Sequence, residues 1–160
     1  MIPKVRKALI YLAAADFLAC GEAPRVEVGE LAPSFRLKRL DGTWVESDVF
    51  AGSIVVLNFW QTYCGPCLKE IPELEKVAAA SGVEVVGINL DKDGLKTLAP
   101  FVKRQSINYT VLLGDETVFQ RFDGFGIPYT LVLDREQKIA KIYRGSVTRE
   151  TLDRDLQVIM

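Results

Sequence analysis

The chain has 160 residues, one domain by length and enough to bury a core without a disulfide or metal staple. Its 20 Lys and Arg face 21 Asp and Glu, for a net charge of -1, which argues against the basic surface of a nucleic-acid binder. It contains no His and three Cys, and it shows no internal repeat and no low-complexity tract.

Residues 1–20 differ from the rest. Lys4, Arg6 and Lys7 make a positive start, and Ala8 to Ala19 is apolar apart from Asp16. That order outlines a signal peptide, with an apolar stretch too short for an ordinary membrane span. Cys20 after Phe17-Leu18-Ala19 resembles a bacterial lipoprotein box with Phe where Leu is usual, and Asp16 is a second departure. Two other readings stay open. An ordinary signal peptidase can cut after Ala13-Ala14-Ala15, or residues 5–19 form a plain N-terminal helix and Cys20 is a spare thiol. The expectation is export, with residues 1–20 a signal, lipoprotein or anchor segment, Cys20 the lipidation candidate, 21–28 a polar Pro-containing linker and 29–160 the folded domain.

Phe35 to Leu37 and Thr43 to Val45 read as short strands around Asp41-Gly42, a hairpin-turn dipeptide. A connector, Val49 to Ser53, leads into Ile54-Val55-Val56-Leu57-Asn58-Phe59. This β-branched and aromatic run predicts a strand buried on both faces. Leu68, Ile71, Leu74, Val77 and Ala78 recur at spacings of three and four, a helix with one core face. Ser81-Gly82 ends it, and Val83 to Ile88 is a second buried strand. Leu95, Leu98, Phe101 and Val102 predict a helix over Asp93 to Arg104 that Pro100 must kink or restart. Tyr109 to Leu113 reads as a strand and Glu116 to Phe122 as a short helix. Tyr129 to Leu133 and Ile139 to Tyr143 form a hairpin across Asp134 to Lys138. The last helix starts near Thr148, a good N-cap, and carries Leu152, Leu156 and Ile159 on one face. Strands alternating with helices and closing on a hairpin predict an α/β domain, a mixed central sheet flanked by helices.

Trp60-Gln61-Thr62-Tyr63-Cys64-Gly65-Pro66-Cys67 fills the turn between the first buried strand and the first long helix. A helix N-terminus offers free N–H groups and the positive end of the macrodipole, which favour thiolate over thiol and lower the Cys64 pKa. Pro66 suits an early helical position because its missing N–H costs little there. Two residues between the sulfurs let the helical turn bring them within bonding reach. Cys64, the more exposed, would attack a disulfide, and Cys67, one turn inside, would resolve the mixed disulfide. The other uses of such a pair fit poorly. Zinc wants four Cys or His ligands, an iron–sulfur cluster wants four Cys, and haem attachment wants a His where Leu68 stands. No metal and no cofactor is expected.

The run Asn58 to Pro72 resembles the active-site stretch of the thioredoxin superfamily, and its Cys67-x-x-Glu70-x-Pro72-x-Leu74 tail is closer to TlpA/ResA-type extracytoplasmic thiol–disulfide oxidoreductases. The match runs from about Val28 to the end, through Gly29-Glu30-Leu31-Ala32-Pro33-Ser34-Phe35, Leu40-Asp41-Gly42, the cysteine motif and Gly126-Ile127-Pro128. The resemblance implies a thioredoxin-like fold with an N-terminal hairpin extension and a central helix–strand insert. It implies that Ile127-Pro128 is a cis-proline loop facing the cysteines, whose backbone pairs with an extended substrate. Trp60 and Tyr63 flank the turn; the functional reading makes them an apolar collar around Cys64, and the plain one makes them core or rim aromatics. Tyr129 stands where this branch often has Thr. Thioredoxins carry a buried Asp where this chain has Asn58, and the alignment puts Lys92 where ResA-like proteins carry a Glu. Asp91 and Glu70 are the substitute proton-relay candidates, and each otherwise reads as a solvated surface acid.

The implied activity is reduction of disulfides in exported proteins, cytochrome c maturation included, with protein thiols as substrates. An external electron donor such as a membrane thiol–disulfide transporter would regenerate the dithiol, outside the cytoplasm. Two alternatives come from other classes. A thiol peroxidase would resemble Pro-x-x-x-Thr-x-x-Cys, but Leu57 and Gln61 hold the Pro and Thr places. A non-catalytic binding module would not need an intact Cys64-Gly65-Pro66-Cys67 together with Ile127-Pro128. A copper chaperone would want a His ligand.

Overall fold

The computed structural model describes residues 26–79 and 82–160. The expectations for residues 1–20, Cys20 among them, and for most of the 21–28 linker lie outside the described residues.

The elements run in the order β1 (Arg36–Arg39), β2 (Trp44–Glu46), β3 (Ile54–Trp60), α1 (Gly65–Ala78), β4 (Val83–Asn89), α2 (Leu95–Gln105), β5 (Thr110–Leu113), α3 (Glu116–Arg121), β6 (Tyr129–Leu133), β7 (Ile139–Arg144) and α4 (Arg149–Ile159), with a single 3-10 turn over Ser47–Phe50 where a plain connector is expected. The strands form one seven-stranded sheet in the order β2-β1-β5-β4-β3-β6-β7. β3 pairs parallel with β4 and antiparallel with β6, so the sheet is mixed. The β1–β2 hairpin joins the sheet through β5, antiparallel to β1 and parallel to β4.

All seven residues of β3 are buried, as an unbroken apolar run at the middle of a sheet requires. Alternation assigns its side chains. Ile54, Val56 and Trp60 pack with Ile71 and Leu74 of α1, Leu98 and Phe101 of α2, and Leu152 and Leu156 of α4. Val55, Leu57 and Phe59 face the other layer, with Val118 and Phe119 of α3, Phe35 and Phe50. Both faces of the sheet are therefore covered. Gly87 of β4 lies where the layers leave no room, since a Cβ there would sit 2.9 Å from Trp60 Nε1.

α2 differs from the expectation in two ways. It begins at Leu95 because Gly94 takes a left-handed φ of 54° before it. It also runs through Pro100 as one element, with Pro100 on its exposed side. No helix among the described residues is long and apolar enough to cross a membrane.

Candidate active site

Cys64 is the N-cap of α1, with extended backbone (φ -88°, ψ 101°), and Pro66 falls in the first turn. Cys64 Sγ accepts the Cys67 N–H at 3.2 Å, so one of the free donors of the helix start points at this sulfur. Cys64 and Cys67 are joined as a disulfide with Cα atoms 5.2 Å apart. Cys64 is half-buried and Cys67 is buried, the order expected for an attacking and a resolving thiol. Gly65 and Pro66 are exposed and leave the outer face of the turn open.

The turn is braced from the neighbouring strand. Gln61 Nε2 donates to Leu90 O at 3.0 Å, Leu90 N–H donates to Trp60 O at 2.9 Å, and Thr62 N–H donates to Asp91 Oδ1 at 3.1 Å. Asp91 is thus no surface acid. It is 7% exposed, its own N–H donates to Asn89 Oδ1, and its Oδ2 is buried without a partner among the described residues. The parallel pairing of Trp60 with Asn89 carries the start of the β4–α2 loop up against the cysteine turn.

Glu70 corrects the same expectation. It is 2% exposed, one turn beyond Cys67 on the buried side of α1. Its Oε1 accepts the Val147 N–H at 3.1 Å and its Oε2 accepts Asn58 Nδ2 at 3.2 Å. Asn58 also donates to Thr130 Oγ1 at 2.8 Å, directly across the β3–β6 ladder. Burial raises the Glu70 carboxyl to about 7, against the pull of the Val147 and Asn58 hydrogen bonds, which favour the ionised form. A group balanced there exchanges protons near neutrality. Glu70 also borders an open cleft between α1 and the start of α4, lined by Lys69, Glu73, Ser146, Val147 and Thr148.

Trp60 is fully buried and packs on Phe101 with ring centroids 5.7 Å apart. The alternation of β3 turns Trp60 under α1 with Ile54 and Val56, in the cluster against which Cys64 packs. Tyr63 remains at the surface, 70% exposed. Lys92 is exposed.

The Ile127-Pro128 peptide bond is cis. Phe59 pairs with Tyr129, which sets Pro128 at the same end of the sheet as Trp60 and the cysteine turn that follows it. The Pro128 carbonyl is already taken by the Gly145 N–H at 2.9 Å. The backbone N–H and C=O of Ile127 have no partner among the described residues and are free to pair with an extended chain. Gln61 stands where a peroxidase site has a Thr hydroxyl, and its amide is tied to Leu90 O, while Leu57 at the Pro place is buried in the opposite layer.

A mixed sheet covered on both faces, with a disulfide at a helix N-cap and a cis-proline at the same sheet end, defines a thioredoxin-fold thiol–disulfide oxidoreductase. The chain belongs to the AhpC/TSA family, whose pattern matches residues 28–152. It is 31% identical over 156 residues to the thiol-disulfide oxidoreductase ResA of Geobacillus thermodenitrificans, covering 95% of this chain and 88% of that protein. It is likewise 31% identical to ResA of Bacillus subtilis, over 79% of this chain and 73% of the relative. Among solved structures, a protein of Chlorobium tepidum assigned as thiol:disulfide interchange protein DsbE superposes with a TM-score of 0.78 at 26% identity, covering 84% of this chain and 99% of that one.

Proposed function

We propose that the protein reduces disulfides of exported proteins outside the cytoplasm, with Cys64 as attacking thiolate, Cys67 as resolving thiol and Glu70 as proton acceptor for Cys67. The supporting observation is the line of three groups along α1: a half-buried sulfur at the N-cap, a buried sulfur one turn in, and a buried carboxyl near neutral pKa one turn further.

In the reduced protein the Cys64 thiolate attacks one sulfur of the substrate disulfide. A Cys64–substrate bond forms, and the second substrate sulfur leaves as thiolate and takes up a proton. Cys67 then passes its proton to the Glu70 carboxylate and attacks Cys64 Sγ. The mixed disulfide breaks, the first substrate sulfur leaves as thiolate and takes the proton held by Glu70, and Cys64–Cys67 closes. The substrate gains two electrons and two protons; both electrons and the Cys67 proton come from the protein, and the other proton comes from solvent. Ile127 holds the substrate backbone in register during both attacks, and cis-Pro128 closes that side of the site. A membrane dithiol donor returns the two electrons and the Cys67 proton in the reverse exchange, and its remaining proton goes to solvent.

Asp91 does not carry the proton in this scheme; it positions the turn through Thr62. Among exported substrates we assign the thiols of apocytochrome c, on the resemblance to the TlpA/ResA type. The charged-then-apolar order of residues 1–19 and the position of Cys20 support export and lipid attachment. Intact mass of protein made in a bacterial host tests that part, and a soluble chain still carrying Met1 to Ala19 would refute it.

Trapping tests the assignment of the two sulfurs. Cys67→Ser accumulates a mixed disulfide between Cys64 and a peptide disulfide substrate, and Cys64→Ser accumulates none. Equal trapping by both variants, or trapping by neither, overturns it.

A further inference from the structure

Phe125 is 79% exposed, the most exposed aromatic side chain among the described residues, and it lies three residues before cis-Pro128. It is not left loose. The Arg144 guanidinium lies 4.8 Å from the Phe125 ring centroid and 5.0 Å from that of Tyr129, within stacking reach of both. Arg144 is fixed in turn by Asp123. Its Nη1 donates to Asp123 O at 3.0 Å and its Nη2 to Asp123 Oδ2 at 2.9 Å. Asp123 has a left-handed φ of 53° just beyond α3, a place where glycine is commoner. Register places Arg144 opposite Tyr129, and Tyr129 is itself anchored by its hydroxyl on Phe122 O at 3.0 Å. The result is a fork holding an aromatic ring out into solvent, at the rim of a pocket whose walls are Phe125, Gly126, Ile127, Pro128, Arg144 and Gly145.

We propose that Phe125, held by Arg144, is a specificity subsite for an apolar side chain of the substrate peptide, near its attacked cysteine; this rests on the disulfide-reductase reading above. Two features choose the occupant. The pocket is continuous with the unpaired Ile127 backbone, so an extended peptide lying along that backbone passes over it. The guanidinium charge is already met by Asp123, so the pocket presents an aromatic face rather than a free cation. An apolar residue gains from that face, and an acidic one gains little. The distance is set by the sheet. Cysteine turn, cis-proline loop and Arg144 close the ends of β3, β6 and β7, adjacent strands spaced about 5 Å, so the subsite lies about 10 Å from the cysteines. That is the span of about three extended residues.

The test uses the reduced protein and short disulfide-bonded peptides that differ only three residues from the cysteine, with Leu, Phe, Ser, Asp or Lys there. Oxidised glutathione, which has no such residue, is the control on the wild-type protein. Leu and Phe peptides are expected to exceed the Ser peptide in kcat/KM by about tenfold, the worth of a buried apolar group, with the difference in KM. Phe125→Ala is expected to bring the series to within about twofold, and Arg144→Lys, which keeps the charge and loses the planar stack, to lower the preference in the same direction. Both side chains are at the surface, so truncation threatens the fold little, and circular dichroism of each variant checks this. A flat wild-type peptide series with glutathione still reduced overturns the subsite alone. A preference for the Asp peptide that Arg144→Ala abolishes and Phe125→Ala leaves intact also overturns it, in favour of an anion site. No reduction of glutathione or of any peptide overturns the subsite and the reductase reading together.

Discussion

Glu70→Gln is the most informative single change, because it removes a proton site while keeping shape. The amide oxygen can still accept the Val147 N–H. The new NH2 would meet Asn58 Nδ2, but Asn58 can turn its amide over, since the Thr130 hydroxyl can donate as well as accept. Burial raises the carboxyl from 4.5 to about 7, which corresponds to a cost of about 3 kcal/mol for ionising it inside the fold. The sign follows from linkage. Below 4.5 the group is protonated in folded and unfolded chains alike, and its stabilising contribution is whole. As pH rises toward about 7 only the unfolded chain ionises freely, and stability falls. Denaturant titrations of the wild-type protein across this window should lose up to about 3 kcal/mol, whereas Glu70→Gln should lack that slope. In stopped-flow exchange, the wild-type resolution step should speed up through a break near pH 7, where Glu70 becomes a free carboxylate. Glu70→Gln should lose the break and slow the step by about 10²-fold, the lower end of general-base contributions. A variant that keeps the break near 7 and a rate within about twofold of wild type would refute Glu70 as the base.

Two further changes separate the neighbouring groups. Asn58→Asp sets a second carboxyl about 3 Å from Glu70 Oε2, where two like charges resist joint ionisation, so the break in the pH–rate profile should move up by about one pH unit or more. Asp91→Ala leaves the Thr62 N–H without its acceptor, with an expected loss of about 1–3 kcal/mol and a lower melting temperature. Asp91→Asn keeps an amide oxygen for Thr62 and should recover most of that loss. The break near pH 7 should persist in both Asp91 variants, and its disappearance in Asp91→Asn would return the relay role to Asp91.

The layout of the domain was legible because its signals are local. β3 is an unbroken apolar run and α1 repeats its core positions at helical spacing, so the cysteine turn between them follows from periodicity. The Thr148 cap is local too, and its hydroxyl accepts the Thr151 N–H as such a cap should. Glu70 was within reach of the same reasoning. It falls inside the stripe of Cys67, Ile71, Leu74 and Val77, so a carboxyl there had to be buried, yet residue type alone suggested a surface acid. Asp91 gave no such signal. Its burial follows from the parallel register of β4 beside β3, a tertiary fact that no local pattern encodes. Trp60 extends β3 one residue past the expected end, and alternation then turns it into the core, in the cluster against which Cys64 packs. The Phe125–Arg144–Asp123 fork joins residues up to 21 positions apart, so its parts were visible in the sequence and their meeting was not.

The central claim is that Cys64 and Cys67 form a dithiol that gives electrons to substrates. Equilibrating the pair with glutathione and with dithiothreitol, and reading the oxidised fraction by mass, measures its reduction potential. A reductase should show a value near or below about −250 mV, on the thioredoxin side of the known range. A value of about −120 to −180 mV, the range of oxidants and isomerases, would contradict it.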